Sequence, residues 1–157
     1  MRRILFVCTG NTCRSPLAAA IATRIAGERA PNRFEIGSAG TDASEGAPAS
    51  DGSLLVGLEH ELDLSGHRAR LLTRDLVAHA DLILAMGPHH LERIEVLGGA
   101  RKAHLLTAYA SRDVSQEPVS DPFDGDLDVY RATFSELEEK LLHVFDRLVA
   151  ERGPGAS

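Results

Sequence analysis

The chain has 157 residues, 43% of them apolar, which suits one domain with a sizeable core. A formal net charge of −6 offers no basic face to nucleic acid or to an anionic membrane, and 4% aromatic residues with no Trp exclude a broad stacking platform. The N-terminal apolar run Ile4-Leu5-Phe6-Val7 is too short for a signal peptide or a membrane span, so the expectation is a cytoplasmic protein. Its two cysteines, Cys8 and Cys13, lie on one short stretch and do not form a disulfide framework.

Apolar runs alternate with amphipathic ones along the chain, the pattern of an α/β fold. Arg3 to Cys8 reads as a first strand. Pro16 to Arg29 reads as a helix, with Leu17, Ala20, Ile21, Ala22 and Ile25 as its apolar face. Phe34 to Ser38 is a second strand, and the Gly- and Ser-rich stretch Gly37 to Gly46 is a loop. Ser50 to Leu62 is a helix capped at Ser50 or Asp51, and a short helix begins near Thr73. Asp81 to Met86 is a strongly apolar strand. Pro88 to Leu97 is a helix that stops at Gly98-Gly99, and Lys102 to Leu106 is a fourth strand. Ser111 to Gly125 is a long polar loop in which Pro118 and Pro122 forbid regular structure; a loop of this length is usually functional. Asp126 to Arg152 is the last helix, with Phe134, Leu137, Leu141, Leu142, Phe145 and Leu148 as its core stripe. The expected domain spans residues 1–152 and is followed by a disordered tail, 153–157. Four strands joined by crossover helices imply a single small doubly wound, four-stranded parallel sheet flanked by helices, with the site at the carboxyl ends of the strands.

The chemistry concentrates in Val7-Cys8-Thr9-Gly10-Asn11-Thr12-Cys13-Arg14-Ser15-Pro16, between the first strand and the first helix. A loop leading into a helix N-terminus turns backbone N–H groups toward an anion. The Cys-x5-Arg spacing lets the backbone curl around one tetrahedral phosphate. A thiolate is the attacking form of cysteine, and a cation and a helix N-terminus both favour it. Arg14 supplies a planar fork for two phosphate oxygens. Ser15 is a candidate N-cap whose hydroxyl also reaches the thiolate, and Pro16 suits the first helical position. Together these groups fit phosphoryl transfer to cysteine. Cys13 is then placed to protect Cys8 from over-oxidation by a reversible bond.

This stretch resembles the Cys-x4-Cys-Arg-Ser-Pro motif of the low-molecular-weight protein tyrosine phosphatase family, and the resemblance covers nearly the whole chain. It implies that Cys8 is the nucleophile and Arg14 the oxyanion clamp. Asp121, in Ser120-Asp121-Pro122-Phe123, matches the family's general acid in the loop before the last helix. Thr9, Gly10, Asn11, Thr12, Cys13 and Ser15 would line the phosphate site, with Phe123 at its edge. Ser38 and His67 match family positions that hydrogen-bond the loop Asn, here Asn11, which is expected to hold a left-handed turn. Thr12 looks like the protein-arginine phosphatase branch, whereas the tyrosine-specific branch usually carries a bulkier aliphatic residue there. The aromatic walls of the tyrosine branch are also depleted, because Asp124 follows Phe123 and Thr41 to Ser50 holds no aromatic residue. The implied activity is hydrolysis of phosphoarginine on protein substrates, with phosphotyrosine as the alternative, by a monomer without nucleic acid or membrane partners.

Other motifs fail. His60-Glu61 lacks the second His of a zinc-protease helix. His89 and His90 are adjacent, so they are expected to point to different sides of their helix as a poor metal pair. Asp124, Asp126 and Asp128 have calcium-loop spacing, but Val129 stands where that loop needs Gly, so they read as charges favouring the last helix. No Gly-Lys-Ser/Thr follows Gly10, and no metal or organic cofactor is expected. An arsenate reductase would need further thiols after Cys13, and a phosphoprotein-binding module would be expected to lose Cys8 or Asp121.

Overall fold

The computed structural model describes residues 1–111 and 117–151. Part of the expected long loop and the expected tail therefore lie outside the described residues. The elements run β1 Arg2–Cys8, α1 Arg14–Arg29, β2 Phe34–Gly40, α2 Asp51–Glu59, α3 Arg74–His79, β3 Leu82–Ala85, α4 Pro88–Val96, β4 Ala103–Leu105, α5 Leu106–Ser111 and α6 Leu127–Ala150. The four strands form one parallel sheet in the order β2-β1-β3-β4.

Burial explains the strand sequences. In β1, Ile4, Phe6 and Cys8 pack on one face with α1, α5 and α6, while Leu5 and Val7 pack on the other with α3 and α4. A central strand covered on both faces reads as a continuous apolar run, which is what Ile4–Val7 and β3 show. The chain leaves β1 for β2 on one side and for β3 on the other. The crevice between the carboxyl ends of β1 and β3 is thus the topological switch point, where ligands bind in such sheets. Two connections meet there: the loop from Cys8 to Arg14, and the turn from β3 into α4.

Several boundaries differ from expectation. β2 continues through Gly40, in the stretch expected to be loop, because Gly40 pairs with Cys8. A Cβ on Gly40 would collide with the Thr9 carbonyl and approach the Asn11 nitrogen, so only Gly lets the loop lie against β2. α2 ends at Glu59 rather than Leu62, and its cap is Ser50, which accepts from Ser53 N–H. The expected last strand stops at Leu105, and the chain winds at once into α5, burying Leu106, Thr107 and Tyr109. In α6, Leu142 is half exposed and Val144 takes its place in the core. Asp126 caps α6 by accepting from Val129 N–H, in line with the expected role of the acidic run.

Candidate active site

β1 delivers Cys8, buried, to the switch point. The chain then curls through Thr9 to Cys13, and α1 begins at Arg14. Cys13 therefore occupies the N-cap position expected for Ser15, and Pro16 is the third helical residue rather than the first. No side chain caps α1 and no acidic residue lies in its first turn, in contrast to the capped α2, α3 and α6. Its N-terminal N–H groups and dipole are left for an anion.

Asn11 shapes the loop. It is fully buried, with φ 56°, a left-handed conformation that Asn tolerates better than most residues. Its Nδ2 donates to Ser15 Oγ at 2.8 Å and to Ser38 Oγ at 2.9 Å, and its Oδ1 accepts from Arg70 N–H at 2.9 Å. His67 Nε2 meets the Asn11 carbonyl at 2.6 Å. Ser38 and His67 thus both hold the loop Asn, as expected. Arg70 was not anticipated. Its guanidinium also donates to the Ser38 carbonyl, tying the turn after His67 to β2.

These contacts give the network a direction. An amide nitrogen only donates, so Ser15 Oγ accepts from Asn11. The single Ser15 proton is then free for Cys8 Sγ, 2.9 Å away. The sulfur sits as an acceptor at the end of a donor chain running Asn11, Ser15, Cys8.

Arg14 is buried at the start of α1. Its guanidinium donates to the Val119 carbonyl at 3.2 Å and lies 3.5 Å from the carboxylate of Asp121. Asp121 is exposed, and its other oxygen accepts from Phe123 N–H at 3.0 Å. The loop before α6 therefore brings the expected general acid to the clamp expected to hold the phosphoryl group. Gly10 and Thr9 complete the loop, and Thr12 is half-buried.

Beside the loop lies an open groove of about 380 Å³ lined by Thr12, Cys13, the first turns of α2 and the Phe123–Gly125 turn. Phe123 is 70% exposed and shares the groove with Leu55, Asp51 and Asp124. Cys13 Sγ is held from below by Ser50 Oγ at 3.5 Å and Tyr130 Oη at 3.4 Å. Burial, and then the contact with Cys13, pushes the Tyr130 phenol up to about 12.

His89 and His90 do not point apart. Their rings are in contact, with centroids 3.8 Å apart, because His90 turns inward at the switch point beside its neighbour. His90 is fully buried and its Nε2 lies 2.8 Å from Thr9 Oγ1. Sequence reasoning gave it no part in the site. Its position in the first turn of the helix after β3, at the carboxyl end of the sheet, was the available signal.

The family model described as low molecular weight phosphotyrosine protein phosphatase matches residues 3–153. The chain belongs to this family. Its relatives include phosphatases of two named kinds. A protein-arginine-phosphatase from Bacillus subtilis is 38% identical over 149 residues, covering 95% of this chain and 98% of the relative. The low molecular weight protein-tyrosine-phosphatase Wzb from Escherichia coli K12 is 33% identical over 150 residues, covering 95% and 97%. A solved structure of the arginine phosphatase YwlE, a Cys-to-Ser mutant with a phosphorylated active-site serine, superposes with a TM-score of 0.89 at 38% identity, covering 96% of this chain and 97% of that one. Among the described residues no helix is long and apolar enough to cross a membrane.

Proposed function

We propose that this family member is a cysteine-dependent protein phosphatase that prefers phosphoarginine. The observation that carries the chemistry is the donor chain ending on Cys8, in the loop that leads into the Arg14–Asp121 pair. Cys8 sulfur attacks phosphorus in line as the bond to the leaving atom breaks. Arg14, the loop N–H groups and the N-terminus of α1 stabilise the equatorial oxygens. Asp121 donates its proton to the departing nitrogen. Its carboxylate then takes a proton from water as the water oxygen attacks the phosphocysteine, which releases phosphate and restores the thiolate.

The substrate preference is supported by Thr12 on the groove wall. There the single strongly exposed ring, Phe123, is joined by Leu55 and the carboxylates of Asp51 and Asp124. That lining suits a cationic leaving group better than a flat phenyl ring held between two aromatics. The 38% identity to a protein-arginine-phosphatase points the same way. In this reading the protein works in the cytoplasm, as a monomer, on phosphorylated proteins.

Thr12→Ile tests the preference. The two side chains are both β-branched and similar in size, so the fold is retained while the hydroxyl is lost. A change of this size shifts discrimination by about tenfold to a few hundredfold. The ratio of phosphotyrosine to phosphoarginine turnover is expected to rise by that amount. A parallel change in both substrates removes Thr12 from specificity.

A further inference from the structure

Thr9 is the residue next to the nucleophile, and it is tied down twice. Its carbonyl accepts from Asp42 N–H at 2.9 Å, and its hydroxyl meets His90 Nε2 at 2.8 Å. His90 comes from the other connection at the switch point, the first turn of α4, and has no solvent exposure. Its second ring nitrogen, Nδ1, is buried without a hydrogen-bond partner among the described residues.

The protonation of this ring follows from its surroundings. Burial is the main cause that pushes His90 down to about 3. The neighbouring His89 and the Arg14 guanidinium act in the same direction, and Asp121 acts against them. The ring is therefore neutral and carries one proton. A proton on Nδ1 would be a buried donor without an acceptor, and orphaned donors are rarer in folded proteins than bare acceptors. The proton belongs on Nε2, where it is donated to Thr9 Oγ1. Thr9 then keeps its own hydroxyl proton for another acceptor, and Thr9 is exposed on the open side of the loop.

We propose that His90 is a positioning residue of the phosphate-binding loop: its Nε2–H fixes the Thr9 hydroxyl so that the Thr9 proton is donated to the anion held by the loop. His90 touches no substrate and acts through Thr9. The same contact links β1 to α4 across the crevice, so that the first residue of the cradle is set by the opposite wall. This rests on the reading of residues 8–14 as a phosphate site.

Two measurements test it. The first is long-range proton–nitrogen NMR of the imidazoles in the phosphate-free protein. A neutral His90 ring protonated at Nε2 between pH 5 and 8 is expected, and an Nδ1-protonated ring overturns the proposal. The second is a cycle of Thr9→Val, His90→Ala and the double variant, read as competitive inhibition by inorganic phosphate together with thermal stability. Each single change is expected to weaken phosphate binding about tenfold, the scale of one hydrogen bond to a charged group. The double variant should be no weaker than the worse single one. His90→Gln, which keeps an N–H donor, should recover part of the loss. Additive losses, or unchanged phosphate affinity in His90→Ala, overturn the positioning role while the phosphatase reading stands. A wild type that phosphate does not inhibit removes both readings.

Discussion

Replacing Asn11 probes the loop most sharply, because one residue there supplies both bonds and backbone strain. Asn11→Ala removes the side-chain bonds to Ser15, Ser38 and Arg70 N–H, three in number. At about 1 kcal/mol net for each, the loss is about 3 kcal/mol. Ala must also adopt the left-handed φ of 56°, which costs about 1 kcal/mol more. The expected destabilisation is about 4 kcal/mol, a large share of the ~5–15 kcal/mol that holds a domain of this kind together. Asn11→Gly loses the same bonds without the conformational penalty, so it should be about 1 kcal/mol more stable than Asn11→Ala. Urea unfolding of the three proteins, with equal slopes, reads both differences. The reasoning fails if Asn11→Ala lies within 1 kcal/mol of wild type, or if Asn11→Gly is the less stable of the two.

Three other outcomes are expected. Asp121→Asn should slow phosphocysteine formation most for poor leaving groups and least for an activated aryl phosphate; burst kinetics showing an equal loss for all would remove the acid role. Peroxide should inactivate the enzyme through a Cys8–Cys13 bond that a thiol reductant reverses. Cys13→Ser should keep its activity but recover poorly, and mass spectrometry of the oxidised wild type without the intraloop bond would contradict this. His90 has a folded pKa of about 3, below the unfolded value of 6.5, so the unfolded chain binds the extra proton between these values. Its contribution is present above about pH 6.5 and is lost as the pH falls toward 3. In His90→Gln the dependence of unfolding free energy on pH between 5 and 6.5 should be shallower, by at most ~1.4 kcal/mol per pH unit; an unchanged slope would show that His90 does not titrate in this way.

What the sequence revealed was mostly local. The Cys-x5-Arg spacing, the strand before it and the helix after it are contiguous, and the structure brings Ser15 to Cys8 and starts the helix at Arg14. The alternation of apolar runs was enough for the sheet, because β1 and β3 are buried on both faces and read as unbroken hydrophobic stretches. Asp121, Ser38 and His67 were found through resemblance, since their meeting with the loop depends on tertiary placement. Arg70 and His90 escaped for a related reason. A backbone N–H that completes Asn11 carries no side-chain signal, and His90 looks like a surface helix residue until α4 is set against the switch point. The start of α1 was misread because Ser15 is a good cap by type. Its hydroxyl is instead engaged with Asn11 and Cys8, and the helix N-terminus is left uncapped. α5 was missed because it follows β4 without a turn, with neither a capping residue nor a polar break to announce it.

The central claim is most directly tested by the ratio of kcat/KM for two peptides of one sequence, one bearing phosphoarginine and the other phosphotyrosine, hydrolysed by a single preparation with Cys8→Ser as control. A preference for phosphoarginine of at least about tenfold is expected, the smallest step that a change in one pocket contact gives, with both activities lost in the control. Equal turnover or a preference for phosphotyrosine would contradict the assigned substrate, and activity surviving in Cys8→Ser would contradict the nucleophile itself.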